Sequence, residues 1–158
     1  MKQWSIIRHQ VAIEGRVTNA QTKTAIAMAQ VRISDAPEAF VTSLITKAQL
    51  VTLANEPTQV LQARITLNDS AASNAQKLEA AQKIIDFLMA RQALKTLQPY
   101  LAQTTADGLF YFLDLPQGNY TLIASMLNSP RRYGTSQAKN VTVSQNDRGD
   151  IPIPFADM

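Results

Sequence analysis

Apolar and polar side chains alternate with a period of two from Gln10 to Ser34. Val11, Ile13, Gly15 and Val17 fall on one side and Ala12, Glu14 and Arg16 on the other, as in a half-buried strand. A polar turn, Asn19 to Lys23, leads to a second strand, Ala29 to Ser34. There Val31 and Ile33 face one way and Gln30, Arg32 and Ser34 the other. From Ala36 to about Gln103 the period lengthens to that of a helix. Pro37 and Glu38 suit a first helical turn, and Phe40, Leu44, Ala48 and Val51 share a face with Ile45 beside them. Asn55-Glu56-Pro57 ends that helix and opens a second, Thr58 to Leu67, whose apolar side is Val60, Leu61 and Ile65. Ser73 and Gln76 have the spacing of a capping box. Behind them Leu78, Ala81, Ile85 and Leu88, joined by Ile84, Met89 and Leu94, predict a third helix that Pro99 stops.

The period returns to two at Thr104. Leu109, Tyr111 and Leu113 alternate with Phe110 and Phe112, and Tyr120, Leu122 and Ala124 share a face of the next strand. Asp107-Gly108 is a turn pair in which glycine takes a positive φ at no steric cost. Pro116 and Gly118 close the connection from Asp114 to Asn119. After a loop at Asn128 to Gly134 come a strand with Val141 and Val143 and a polar turn, Gln145 to Asp150. The final extended stretch, Ile151 to Phe155, carries two prolines that suit an edge position.

The segment holding Asp107, Gly108, Phe110, Phe112, Leu115, Pro116, Gly118 and Tyr120 resembles the signature of the carboxypeptidase regulatory-like family, small β-sandwiches of prealbumin (transthyretin) topology. Glu14 to Thr18 followed by Ala29 to Ile33 is similar to the family's opening pair of strands, without the usual glycine in the turn between them. The resemblance implies a mainly β fold with a helical insertion: a prealbumin-like antiparallel Greek-key sandwich of about seven strands. A single domain over residues 1–158 would be built from strand blocks 10–35 and 104–156, interrupted by helices over 36–103. Residues 1–9 would be an N-terminal arm or an edge strand. Val17, Val31, Leu115 and Leu122 are expected in the core.

Composition narrows the function classes. The fifteen basic residues of this 158-residue chain are scattered, Arg131-Arg132 is the one basic pair, and a net charge of +3 gives no phosphate-facing stripe. Nucleic acid is therefore not an expected partner. With no cysteine there is neither a disulfide framework nor thiolate chemistry. His9 is the single histidine, too few for a zinc site of converging ligands or for the metal chemistry of other transthyretin-fold and sandwich enzymes. No Gly-x-Ser-x-Gly elbow occurs, and Asp107 and Asp114 read as turn residues rather than as a calcium or glycosidase pair. Lys77, Lys83, Arg91 and Lys95 read as a solvated face. No enzyme, metal or cofactor is expected. The apolar run before Arg8 is too short for a signal peptide and no stretch approaches a membrane span, so a cytoplasmic location is expected.

What is left is association with other protein subunits. Trp4, Ile6 and Ile7 precede the first strand, and Arg131, Arg132 and Tyr133 cluster in a loop, two compositions enriched at interfaces. The sandwich signature with a helical insertion and the loop Arg132-Tyr133-Gly134 also resembles accessory proteins of contractile phage-tail-like particles. That resemblance implies a non-enzymatic structural subunit of a cytoplasmically assembled injection particle. The alternative is a sandwich that binds carbohydrate or a cell-surface ligand, a role that normally exposes aromatic platforms.

Overall fold

The structure, a computed structural model, describes residues 11–19, 21–95, 98–125, 136–143 and 155–158, with backbone alone for 136–140 and 155–157. Its strands are β1 (Val11–Arg16), β2 (Gln30–Asp35), β3 (Leu101–Gln103), β4 (Leu109–Leu113), β5 (Gly118–Ser125), β6 (Ser136–Val143) and β7 (Phe155–Asp157). Between β2 and β3 run α1 (Glu38–Ala48), α2 (Thr58–Leu67) and α3 (Asn74–Ala90). The strands form two sheets, ordered β4-β1-β7 and β3-β2-β5-β6. All pairings are antiparallel except that of β1 with β7.

The period-two pattern places the core. Ile13, Val17, Phe110 and Phe112 of the first sheet are buried, as are Val31, Ile33, Tyr120, Leu122 and Ala124 of the second. Phe110 and Phe112 meet edge to face, with ring centroids 5.9 Å apart. Leu115 is buried in the connection to β5, so Val17, Val31, Leu115 and Leu122 all lie in the core. β4 is apolar on both faces, and the Phe face is the buried one; Tyr111 and Leu113 point outward.

The helices form a layer on the second sheet. α3 lies against β2, and α1 and α2 pack on α3. A helix in that central position needs a broad apolar arc, and Leu78, Ala80, Ala81, Ile84, Ile85 and Leu88 supply it. Phe40 of α1 stands edge to face against Tyr120 of β5 at 5.8 Å. Buried residues of the sandwich and of all three helices belong to one continuous core.

Several boundaries and faces differ from the sequence expectations. Pro37 is an extended cap one residue before α1 rather than its first helical residue, whereas α2 starts at Thr58 as expected, capped by Pro57. In α1 the buried set is Phe40, Val41, Leu44 and Ala48; Ile45 is partly buried and Val51 lies beyond the helix end. In α2 it is Val60, Ala63 and Leu67, while Leu61 and Ile65 are exposed. The second helix has apolar residues around most of its circumference, so periodicity alone could not choose the buried side. α3 ends at Ala90, well before Pro99. Gln92 turns left-handed at φ 57°, Gln92 N donates to Met89 O and Ala93 N to Leu88 O, a Schellman ending with glutamine where glycine is usual. β3 starts at Leu101, so the second strand block begins before residue 104. Among the described residues no helix is long and apolar enough to cross a membrane.

Candidate interaction surface

The signature residues serve the scaffold. Gly108 has a φ of 74°, and a Cβ there would sit 2.6 Å from Val17 O. Val17 N in turn donates to Gly108 O at 2.8 Å, so the turn is clamped onto the end of β1. Gly118 has a φ of 143°, and a Cβ there would come within 2.2 Å of Pro37 Cγ. The glycine thus lets the start of α1 press against β5. Tyr120 is buried and donates its hydroxyl to Pro116 O at 2.5 Å, and burial pushes its phenol well above the usual range. Asp107 and Asp114 are exposed at the two ends of β4, Asp114 with a φ of 55°. Among the described residues no group of three or more His, Cys, Asp or Glu side chains could hold a metal ion.

Two polar clusters tie the helices down. In the first, Arg32 of β2 donates to Gln82 Oε1 at 3.0 Å and to Asp86 Oδ2 at 3.2 Å on α3. Its guanidinium lies 5.4 Å from the centre of the Tyr100 ring. Tyr100 donates to Asp86 Oδ1, and Gln82 Nε2 donates to Ile33 O at 2.6 Å. Burial, followed by the Asp86 carboxylate, pushes the Tyr100 phenol far up. The polar face read from Gln30, Arg32 and Ser34 is therefore covered in part by the helical layer.

In the second cluster Arg64 of α2 makes a two-pronged pair with Glu56, Nε to Oε1 and Nη2 to Oε2, both at 2.6 Å. Its remaining donors reach Ala48 O and Val51 O, which fastens the end of α1 to α2. The Glu56 side chain is 1% exposed. The Arg64 hydrogen bonds hold its carboxyl below the usual range against the opposing effect of burial. Neither Arg64 nor the Arg32 cluster was picked out from the sequence. The one available signal was an arginine on the buried side of an otherwise uncharged helix.

Among the described residues, large apolar side chains face solvent singly at Met28 and Leu50 and in pairs on α2 and β4. On α2, Leu61 is 49% and Ile65 69% exposed, one helical turn apart. Beside them α2 and α3 enclose a shallow groove of about 300 Å³ whose polar lining includes Gln59, Gln62, Thr66, Glu79 and Lys83. Lys83 pairs with Glu79 at 3.3 Å across one turn, both well exposed. Of the cationic set, Lys77 is half-buried, and Arg91 and Lys95 lie beyond the end of α3. On β4, Tyr111 and Leu113 are exposed side by side with Glu14, the partner of Tyr111 across the ladder. Trp4, Ile6, Ile7, Arg131, Arg132 and Tyr133 lie outside the described residues.

No protein-family model matches the chain, and no curated protein matches it. Among solved structures the chain is similar to the pilus backbone RrgB of Streptococcus pneumoniae, at 13% identity and a TM-score of 0.38. The match covers 94% of this chain and 39% of the pilus protein, so the chain spans about two fifths of that protein's length.

Proposed function

We propose that this chain is a non-enzymatic protein-interaction module, a subunit of a larger assembly. The observation that carries the reading is the pair Leu61 and Ile65, displayed on the outside of a helix whose opposite side is fixed by Arg64 and buried alanine. Apolar side chains held on a rigid, outward face are what a subunit presents to a neighbour. The charged groups of Arg32, Glu56, Arg64 and Asp86 meanwhile are committed to holding helices in place. In its finer form the reading is a prealbumin-like Greek-key sandwich of the carboxypeptidase regulatory-like kind, serving in a contractile phage-tail-like particle assembled in the cytoplasm. That form rests on the resemblance of the Asp107 to Tyr120 segment and of the Arg132-Tyr133-Gly134 loop.

The test is the size of the native protein. Purified without overexpression, it is expected to run with partner chains at a mass well above its own 17.4 kDa. Changing Leu61 and Ile65 together to Ser should leave the circular-dichroism spectrum intact and reduce the co-purifying yield. A lone native monomer in fresh extract would overturn the assembly reading.

A further inference from the structure

An aspartate or asparagine is followed by glycine once in the whole sequence, at Asp107-Gly108. Such a pair is prone to close a five-membered ring, because glycine puts no side chain in the way of its own nitrogen. Gly108 N attacks Asp107 Cγ, a C–N bond forms, and a carboxyl oxygen leaves with the amide proton as water. The product is a succinimide. Water then adds back to one of the two ring carbonyls. Opening at the side-chain carbonyl restores Asp107. Opening at the main-chain carbonyl leaves the chain running through Cβ and Cγ, one methylene longer, with a free carboxylate and no change in mass.

The fold puts the two reacting groups in different positions. Asp107 is exposed, whereas Gly108 is buried and held on both sides. Gly108 N donates to Thr105 O at 2.9 Å, and Gly108 O accepts from Val17 N at 2.8 Å. Thr105 closes the turn from its other side, with its N–H on Leu109 O at 2.9 Å and its hydroxyl accepting from Leu109 N at 3.3 Å. Ring closure requires the nitrogen to give up its proton and the Asp107–Gly108 peptide to rotate toward the carboxyl, and both break the bond to Thr105. Gly108 has no room to shift as a whole, since a Cβ there would already lie 2.6 Å from Val17 O. The lengthened chain meets the same constraint from the other direction. One more methylene between Asp107 and Gly108 stops the bonds to Thr105 O and Val17 N from being made together. Phe110 and Phe112, buried in the core, follow directly, so a displaced Gly108 pulls on the core. We propose that Asp107-Gly108 is a site of spontaneous isomerisation gated by the fold, closed while the turn is clamped to the end of β1 and, once it has reacted, unable to close again. The site then reacts in proportion to the population of the opened turn, and each event removes a chain from the native pool. The inference is independent of the assembly reading.

The test is to age the purified full chain at neutral pH, folded and in guanidinium chloride, and to follow the peptide that contains Asp107. The β-linked form has the parent mass, separates from it on reversed-phase chromatography, and is labelled by an isoaspartyl methyltransferase. It should accumulate at least about tenfold faster in denaturant than in the folded protein, the ratio set by the free energy of opening the turn. Asp107→Glu should give none under either condition. Thr105→Ala removes the hydroxyl bond to Leu109 N, and should speed the reaction in the folded protein while leaving the denatured rate unchanged. Protein aged in denaturant and then refolded should melt at a lower temperature in proportion to its β-linked fraction, and Asp107→Glu aged alongside should not. Equal rates in the folded and denatured chain would remove the gate, as would an unchanged folded rate in Thr105→Ala. Absence of the β-linked peptide in denaturant would remove the site. A β-linked chain that refolds to the parent melting temperature would show that the turn closes again, and would overturn the proposal.

Discussion

At Gly118 the backbone of β5 passes so close to Pro37 that no side chain fits between them. Gly118→Ala is expected to cost about 1–3 kcal/mol through overpacking, with the positive φ adding to it. Denaturant titration would check this, and unchanged stability would mean that α1 can back away from the sheet. Leu122 is fully buried between the sheets, and Leu122→Ala should cost about 2–5 kcal/mol, the range for a large-to-small change in a packed core. A thermal melt unaltered by that change would take Leu122 out of the core. The turn glycines and the Pro116-to-Tyr120 connection were legible in the sequence because their conformations are local. The partner that makes Gly118 irreplaceable was not, since Pro37 is far away in the chain and meets it only through the fold.

Among the elements, α3 was the most legible. Ser73 accepts from Gln76 N at 3.1 Å and Gln76 Oε1 accepts from Ser73 N at 2.8 Å, the reciprocal cap that the spacing predicts. Ser73→Ala should cost about 1 kcal/mol, measurable by the same titration. The α1–α2 junction depends on Glu56 being ionised. Its pKa is lowered in the folded protein by Arg64, so the folded state binds fewer protons there than the unfolded chain does. The stabilisation is therefore complete above the ordinary carboxylate pKa and is lost as pH falls through the lowered folded value. Glu56→Gln should lower stability at neutral pH and flatten the loss of stability on acidification; an unchanged acid profile would remove Glu56 from that role. The outward side of α2 was misjudged from sequence for a definite reason. Val60, Ala63 and Leu67 compete with Leu61 and Ile65 for burial, and small Ala63 wins because it lets α2 approach α3.

On the scale of the whole molecule the helices are part of the core rather than an appendage. α3 covers β2, α1 seats Phe40 on Tyr120, and the buried residues of both layers are continuous. Replacing Ala36 to Pro99 by a short glycine-serine linker should therefore abolish a cooperative melt, even though Ile33 N already bonds to Tyr100 O across the gap. A sharp transition in that shortened chain would make the sandwich independent of its helices. The amino-acid pattern alone determined the succession of strand, helix and strand blocks, the turn glycines and the cap of α3, because each is set by residues within a turn or two of one another. Tertiary structure alone decided which side of α2 is hidden, that Arg64 and Arg32 act as fasteners, and that Tyr111 and Leu113 are on the exposed face of β4. Burial, ion pairing and sheet order arise between segments distant in the chain, and no local periodicity encodes which distant segment arrives.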